Sequence, residues 1–260
     1  MVMAFDIGQL SVIALIAFAT SVVGGMVGIG GAVLLIPAFL AIPPLLGLPA
    51  LDMYRVSGIT SVQVLASSLV GAFLHSKRGA FDRRLLLAVG APLMLASFLG
   101  AKLSRGVSAQ FLEALFGVVA ILGATMMLLR PRDTESLDYT LSYPKAIGIA
   151  LPVGLFGGMV GMAGGFLLTP LLVTIVGVPL RVTIGSTLGI VIIGAIATSV
   201  GKIMAGMVDP IPTAAAIIGA LPGMWLGVKI SHRLHITQLR RILAAIITAI
   251  GIAMLVRVVG

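Results

Sequence analysis

Two sets of hydroxyl-bearing residues stand at matching places in this chain. Thr60, Ser61 and Gln63 lie near the start of one apolar stretch, and Ser186 and Thr187 lie near the start of another, 126 positions on from Thr60 and Ser61. Ser57 and Thr183 extend the two sets. Hydroxyls and side-chain amides are neutral hydrogen-bond donors. They suit a small oxyanion, above all where helix N-termini also point at it. The same groups can instead bond between helices or to their own helix's carbonyls. Their symmetric placement favours a site.

Two glycine elements accompany them. Gly24 to Pro37 reads GGMVGIGGAVLLIP, and Gly157 to Pro170 reads GGMVGMAGGFLLTP, with nine of fourteen positions identical. Gly28, Gly30 and Gly31 of the first correspond to Gly161, Ala163 and Gly164 of the second. Clustered glycines inside an apolar run break a helix or let backbones approach closely. Interrupted helix at membrane depth needs protein or a water-filled cavity to satisfy the freed backbone groups. A pair of such breaks at matching places in two halves points to a central ligand site.

Other chemistry is sparse. Asp6, Asp52, Asp82, Asp133, Glu135, Asp138 and Asp209 fall in termini or loops, and only Glu113 enters an apolar segment. His75, His232 and His235 sit near segment ends with no carboxylates at metal-ligand spacing. With no cysteine, thiolate metal sites and disulfides are excluded. No Ser/His/Asp set or carboxylate pair offers catalysis. The expectation is a protein that is not an enzyme, with no cofactor and no metal.

The elements that must position these groups are membrane helices. Of 260 residues, 59% are hydrophobic and 10% charged, too apolar for a soluble domain of this size. Ten apolar segments are expected, at about 9–25, 31–46, 55–75, 83–101, 108–129, 145–160, 164–178, 181–203, 210–230 and 236–257. Residues 130–144 read as a linker between a first repeat, 1–129, and a second, 145–260. The repeat extends past the glycines: Arg55-Val56 matches Arg181-Val182, GAFD at 79–82 matches GMVD at 206–209, and SFLGAKLS at 97–104 matches MWLGVKIS at 224–231. The opening residues carry no basic cluster, so no removable signal peptide is expected.

A net charge of +9 does not point to nucleic acid, because the basic residues flank apolar runs. If all ten segments cross, one side receives Lys77, Arg78, Arg83, Arg84, Arg130, Arg132, Lys145, Arg181, Lys229, Arg233, Arg240 and Arg241, twelve in all. The other receives five: Arg55, Lys102, Arg105, Lys202 and Arg257. Counting each glycine-broken pair as one crossing gives eight against nine and no bias. The positive-inside rule therefore favours the first arrangement, with both termini outside the cytoplasm. Five segments per half make the repeats inverted. A re-entrant hairpin that enters and leaves one face keeps the same charge split, so full spans and hairpins both stay open. Lys102 and Lys229 read as snorkelling interfacial anchors. Arg55 and Arg181 read either as anchors or as anion-attracting groups at a vestibule.

The duplicated glycine element, the hydroxyl-rich helix start after it, GAFD and LGAKLS together resemble the TauE/SafE sulfite exporter family, also called TSUP, over roughly residues 8 to 257. The resemblance implies an all-α integral membrane protein of the cell inner membrane. It also implies a substrate that is a small sulfur-containing anion, such as sulfite, sulfoacetate, thiosulfate or a similar organosulfonate, usually exported. The site it implies takes in Gly28, Gly30, Gly31, Thr60, Ser61, Gly161, Ala163, Gly164, Ser186 and Thr187, with Gln63 beside them. Alternating access around a midplane site is the expected mode. A passive anion channel and a non-transporting membrane partner of a sulfur-metabolism complex are the alternatives. Coupling to protons or another ion, and assembly as a homo-oligomer, are left open.

Overall fold

The computed structural model describes residues 5–27, 31–75, 82–128, 139–231, 247–249, 251–252 and 254. Among these it is all helical. Apolar chain surrounded by lipid must satisfy its backbone internally, and helices do this segment by segment. The helices are α1 (Ile7–Val27), α2 (Ala32–Leu45), α3 (Met53–His75), α4 (Arg83–Leu103), α5 (Ala109–Leu128), α6 (Tyr143–Val160), α7 (Gly165–Leu171), α8 (Leu180–Met204) and α9 (Pro210–Ser231). A 3₁₀ turn, Ser104–Gly106, follows α4, and one π-helical turn, Leu172–Val176, continues α7. The expected tenth segment, 236–257, falls mostly outside the described residues, and so do Gly28 and Gly30.

Among the described residues seven helices are long and apolar enough to cross a membrane: α1, α3, α4, α5, α6, α8 and α9. The two that follow the glycine elements are shorter. Ala32–Leu45 has 14 residues, roughly 21 Å of rise against a hydrocarbon core of about 30 Å. Residues 165–176 are shorter still. Each glycine element thus joins a helix long enough to cross to one that is not.

The long helices pack in the order α1, α9, α3, α8, α4, α6, with α3 and α8 at the centre and α5 against α7. The central pair is antiparallel. Ser57 of α3 meets Lys202 of α8, and one turn further along α3 the Ser61 carbonyl accepts from Ser199.

The flanking pairs are parallel and packed through glycine. A Cβ on Gly219, Gly223 or Gly227 of α9 would fall 2.0, 2.4 or 2.1 Å from the carbonyl oxygens of Ala14, Phe18 and Val22 of α1. On the other side, Gly100 of α4 stands in the same relation to the Leu155 carbonyl of α6, at 2.0 Å. Gly100 and Gly227 are 127 positions apart, and Val22 and Leu155 are 133 apart. These are the offsets that relate the two halves in sequence. Helix α9 therefore lies backbone-to-backbone on α1, and α4 on α6, contacts that only small residues permit.

Candidate functional site

The second glycine element forms a tight turn at the end of α6. Gly161 closes the helix with φ 89°. Its N–H and that of Met162 both bond to the Gly157 carbonyl, at 2.9 and 2.8 Å. Ala163 follows at φ 52°, strained for a residue with a Cβ, and Gly164 starts α7 at φ 68°. Gly31 stands at the matching start of α2 with φ 74°. The two elements thus share a left-handed entry into their short helices.

Gly161 also touches another element. A Cβ there would lie 2.2 Å from the Ser57 carbonyl oxygen, so the turn presses on the backbone of α3 near its start. The Gly157–Pro170 element thus meets α3 at Ser57, one turn before Thr60 and Ser61.

A buried cation sits at this junction. Lys202, in the last turn of α8, is wholly buried. Its Nζ lies 2.9 Å from Ser57 Oγ, 2.8 Å from Ser104 Oγ and 2.7 Å from the Met159 carbonyl. Ser57 Oγ donates to the Tyr54 carbonyl, and Ser104 Oγ donates to the Ala101 carbonyl. Where both hydroxyl protons are used in those bonds, Nζ is the donor to all three groups, as an ammonium with its three hydrogens can be. Its described partners are neutral. Sequence reading placed Lys202 among loop charges on the sparsely basic side; the structure corrects this, setting it inside the bundle at that end. A lysine near a segment end looks like an anchor, and Ser57, Ser104 and Met159 are scattered along the chain. No sequence signal marks them as a group.

Above this cluster lies a cleft of about 660 Å³, lined by Asp52, Tyr54, Arg55, Arg105, Met207, Asp209 and their neighbours. Arg105 Nη1 donates to the Ala205 carbonyl at 2.7 Å, and the Asp52 carboxylate caps α3 through the Arg55 N–H at 2.8 Å. Met207 belongs to both places: it lines the cleft, and its sulfur lies 3.3 Å from Ser104 Oγ and 4.0 Å from Lys202 Nζ.

The remaining predicted residues divide by bonding. Thr60, Ser61, Gln63, Ser186 and Thr187 are all buried. Ser61 Oγ donates to its own helix, at the Gly58 carbonyl, 2.7 Å away. Gln63 Nε2 donates to Ser21 Oγ and Ser67 Oγ at 3.1 and 2.8 Å. Ser186 Oγ accepts the Asp82 N–H at 3.0 Å, holding the start of α4. Thr60 Oγ1, Thr187 Oγ1, Gln63 Oε1 and Ser97 Oγ have no hydrogen-bond partner among the described residues. Buried polar atoms are seldom left so, and each calls for an explanation.

The two hydroxyl sets do not converge. Ser61 faces Ser199 across an antiparallel pair. Thr187, twelve residues before Ser199, is therefore level with about residue 73 of α3. That puts Thr60 and Thr187 roughly 20 Å apart along the helix axes. Thr60 lies one turn inward from the Ser57–Lys202 contact, and Thr187 belongs to the opposite end.

Among the other ionisable residues, Lys102 and Lys229 are exposed, Lys229 over the Trp225 ring at 4.9 Å, as interfacial anchors would be. Arg55 lies 6.0 Å from the Phe5 ring and lines the cleft. The side chains of Arg181, His75, His232 and His235 lie outside the described residues. Among the described residues no group of His, Cys, Asp and Glu could hold a metal ion.

The described residues thus form a bundle of apolar helices with a glycine turn between α6 and α7 and buried unpaired hydroxyls. The sequence pattern of the family described as Sulfite exporter TauE/SafE matches residues 13–254. This chain belongs to that family. It is 25% identical over 187 residues to "Probable membrane transporter protein YdhB" of Bacillus subtilis, covering 70% of this chain and 76% of that protein. It is 24% identical to "Probable membrane transporter protein YunE" of the same organism, covering 72% and 74%. A "Probable membrane transporter protein" of Xylella fastidiosa is 26% identical, covering 75% and 77%. No solved structure matches. The TauE/SafE membership makes the chain a multi-pass membrane transporter, and the cleft, the glycine turn and the buried polar groups are read as parts of one.

Proposed function

We propose that this TauE/SafE protein carries a small sulfur-containing anion, such as sulfite, sulfoacetate, thiosulfate or a similar organosulfonate, outward across the cell inner membrane by alternating access. The observation that carries the reading is the pair of unpartnered buried hydroxyls, Thr60 and Thr187, seven residues inside each of two antiparallel central helices. In a bundle whose other buried hydroxyls are largely bonded, these two are free to meet a passing solute. The approximately 20 Å between them along the axes sets two waiting points on one path rather than a single ring of donors.

Two inverted repeats, 1–129 and 145–260 about a 130–144 linker, are part of the proposal. The antiparallel run of α3 and α8 supports it, as does the exchange of fourth helices between halves. Rocking of one half against the other would then expose each hydroxyl in turn. The cleft gathers Arg55, Arg105 and the loop after Lys202 at one end, the end that the charge count assigns outside the cytoplasm. Both termini lie on that side in this reading.

The test is flux of sulfite, thiosulfate, sulfoacetate and sulfate into proteoliposomes, with and without a pH gradient, followed by counterflow. Saturable counterflow of a sulfur anion is the expected result. Single-channel currents would convert the reading to a channel, and no flux of any of the four would end it.

A further inference from the structure

We propose that Lys202 is an anion-binding residue of the transport path, reached from the cleft past Met207, with a small oxyanion or sulfonate as its ligand. This rests on the transport reading above and names a residue of that path which neither the repeat pattern nor the unpaired hydroxyls would select.

Three observations converge. The first is the charge itself. Lys202 is fully buried, and its described partners are two serine hydroxyls, one carbonyl and a thioether. A purely structural tether between α8, α3, the 3₁₀ turn and α6 needs donors but no charge. Burying an ammonium among neutral acceptors is costly, and an ionisable group in that position is a functional hypothesis by default. The second is access. Met207 lines the cleft and is the lining residue whose side chain reaches Lys202, its sulfur 4.0 Å from Nζ, so a flexible thioether stands between Nζ and the 660 Å³ cleft. The third is continuity. One helical turn beyond Ser57, the buried Thr60 hydroxyl stands without a partner. The cleft, Lys202 and Thr60 therefore lie in sequence from the surface inward. The cleft's own charges do not replace Lys202. Arg55 and Arg105 share the rim with Asp52 and Asp209, and the Asp52 carboxylate already caps α3.

The chain has no cysteine, so M207C creates a single thiol at the floor of the cleft. Its labelling rate is measured in proteoliposomes with a sulfonate-bearing and a trimethylammonium-bearing methanethiosulfonate, with Lys202 intact and in K202M and K202R. The anionic-to-cationic rate ratio is expected to fall at least about tenfold in K202M and to persist in K202R. Sulfoacetate, which does not react with the reagents, is expected to slow labelling when Lys202 is present and to lose that effect in K202M. A thiol that never labels, a ratio unchanged by K202M, or equal protection in both backgrounds would overturn the proposal. If K202M does not fold, M207C alone decides, since absence of sulfoacetate protection there overturns it too. Flux in the same vesicles separates the two readings: flux without protection removes Lys202 and keeps the transporter, while protection without flux does the reverse.

Discussion

Ser57 and Lys202 are 145 positions apart in the chain and 2.9 Å apart in space. The contact ties the start of α3 to the end of α8, the two equivalent helices of the repeat. It also sets their antiparallel register. Through the same ammonium, α6 is held by its Met159 carbonyl just before the glycine turn.

Replacing Ser57 by Ala removes one acceptor from a buried cation and leaves that proton unpaired. A buried unsatisfied group costs on the order of 1–3 kcal/mol, more where charge is involved. S57A should therefore lower the thermal unfolding midpoint in detergent, whereas S142A, at an α6 start with no side-chain capping bond, should leave it nearly unchanged. Equal midpoints for the two variants would show that the cluster does not stabilise the fold.

Much of the scaffold was legible in the sequence because it depends on local composition. Long apolar runs and the 133- and 127-residue offsets are pattern-level facts, and the structure repeats those offsets in the Gly227–Val22 and Gly100–Leu155 contacts. The left-handed backbone at Gly31 and Gly164 was likewise foreshadowed by glycine at both places. Depth was not legible. Matching hydroxyls look like one site in an alignment, yet the antiparallel run of α3 and α8 sends Thr60 and Thr187 to opposite ends. Lys202 was missed because its three partners come from three elements, and only packing brings them together.

Gly161 and Gly177 share a left-handed backbone but differ in surroundings. Both have φ above 80°, but a Cβ at Gly161 meets the Ser57 carbonyl while one at Gly177 meets nothing within 4 Å. G177A should cost about 1–2 kcal/mol for the backbone alone and keep transport. G161A adds a backbone clash that α3 cannot relieve without moving Ser57 away from Lys202. Transport by G161A is expected to be lost, and loss should be complete in G161V, with membrane insertion retained in both. Similar anion flux in G161A and G177A would deny the turn any special role.

Asp82 joins three parts of the molecule. Its carboxylate caps α4 through the N–H groups of Arg84 and Leu85, at 2.7 and 3.3 Å, and accepts the Tyr139 hydroxyl at 2.6 Å. Partial burial pushes this carboxyl's pKa up, but the bonds from Tyr139, Arg84 and Leu85 outweigh it and hold the value below the usual range. The Tyr139 phenol is pushed up, first by burial and then by its bond to Asp82. The depressed Asp82 value contributes stability that is present above the unfolded carboxyl range and lost as pH falls through the folded one. The raised Tyr139 value contributes stability below about pH 10 that fades as pH rises further. Y139F should therefore cost roughly 0.5–1 kcal/mol near neutrality, the lower end reflecting solvent exposure. The gap to the parent protein should narrow below about pH 4. Unfolding midpoints across that range check it, and a gap that stays constant at acid pH would contradict the linkage.

Thr60 separates a transport role from a structural one, because its hydroxyl bonds to nothing among the described residues. T60V keeps the shape and removes only the unpaired group. Deleting a buried polar atom without a partner should leave the unfolding midpoint unchanged or raise it slightly. Transport should move the other way, with a loss of several-fold or more in the apparent affinity for the carried anion. The contrast with S61A is informative, since Ser61 bonds to its own helix and should show little change in either measurement. Measuring both quantities on both variants decides the matter. A T60V protein as stable as the parent, and moving the anion with the same half-saturation, would leave the Thr60 hydroxyl as a packing defect rather than a stop on the path.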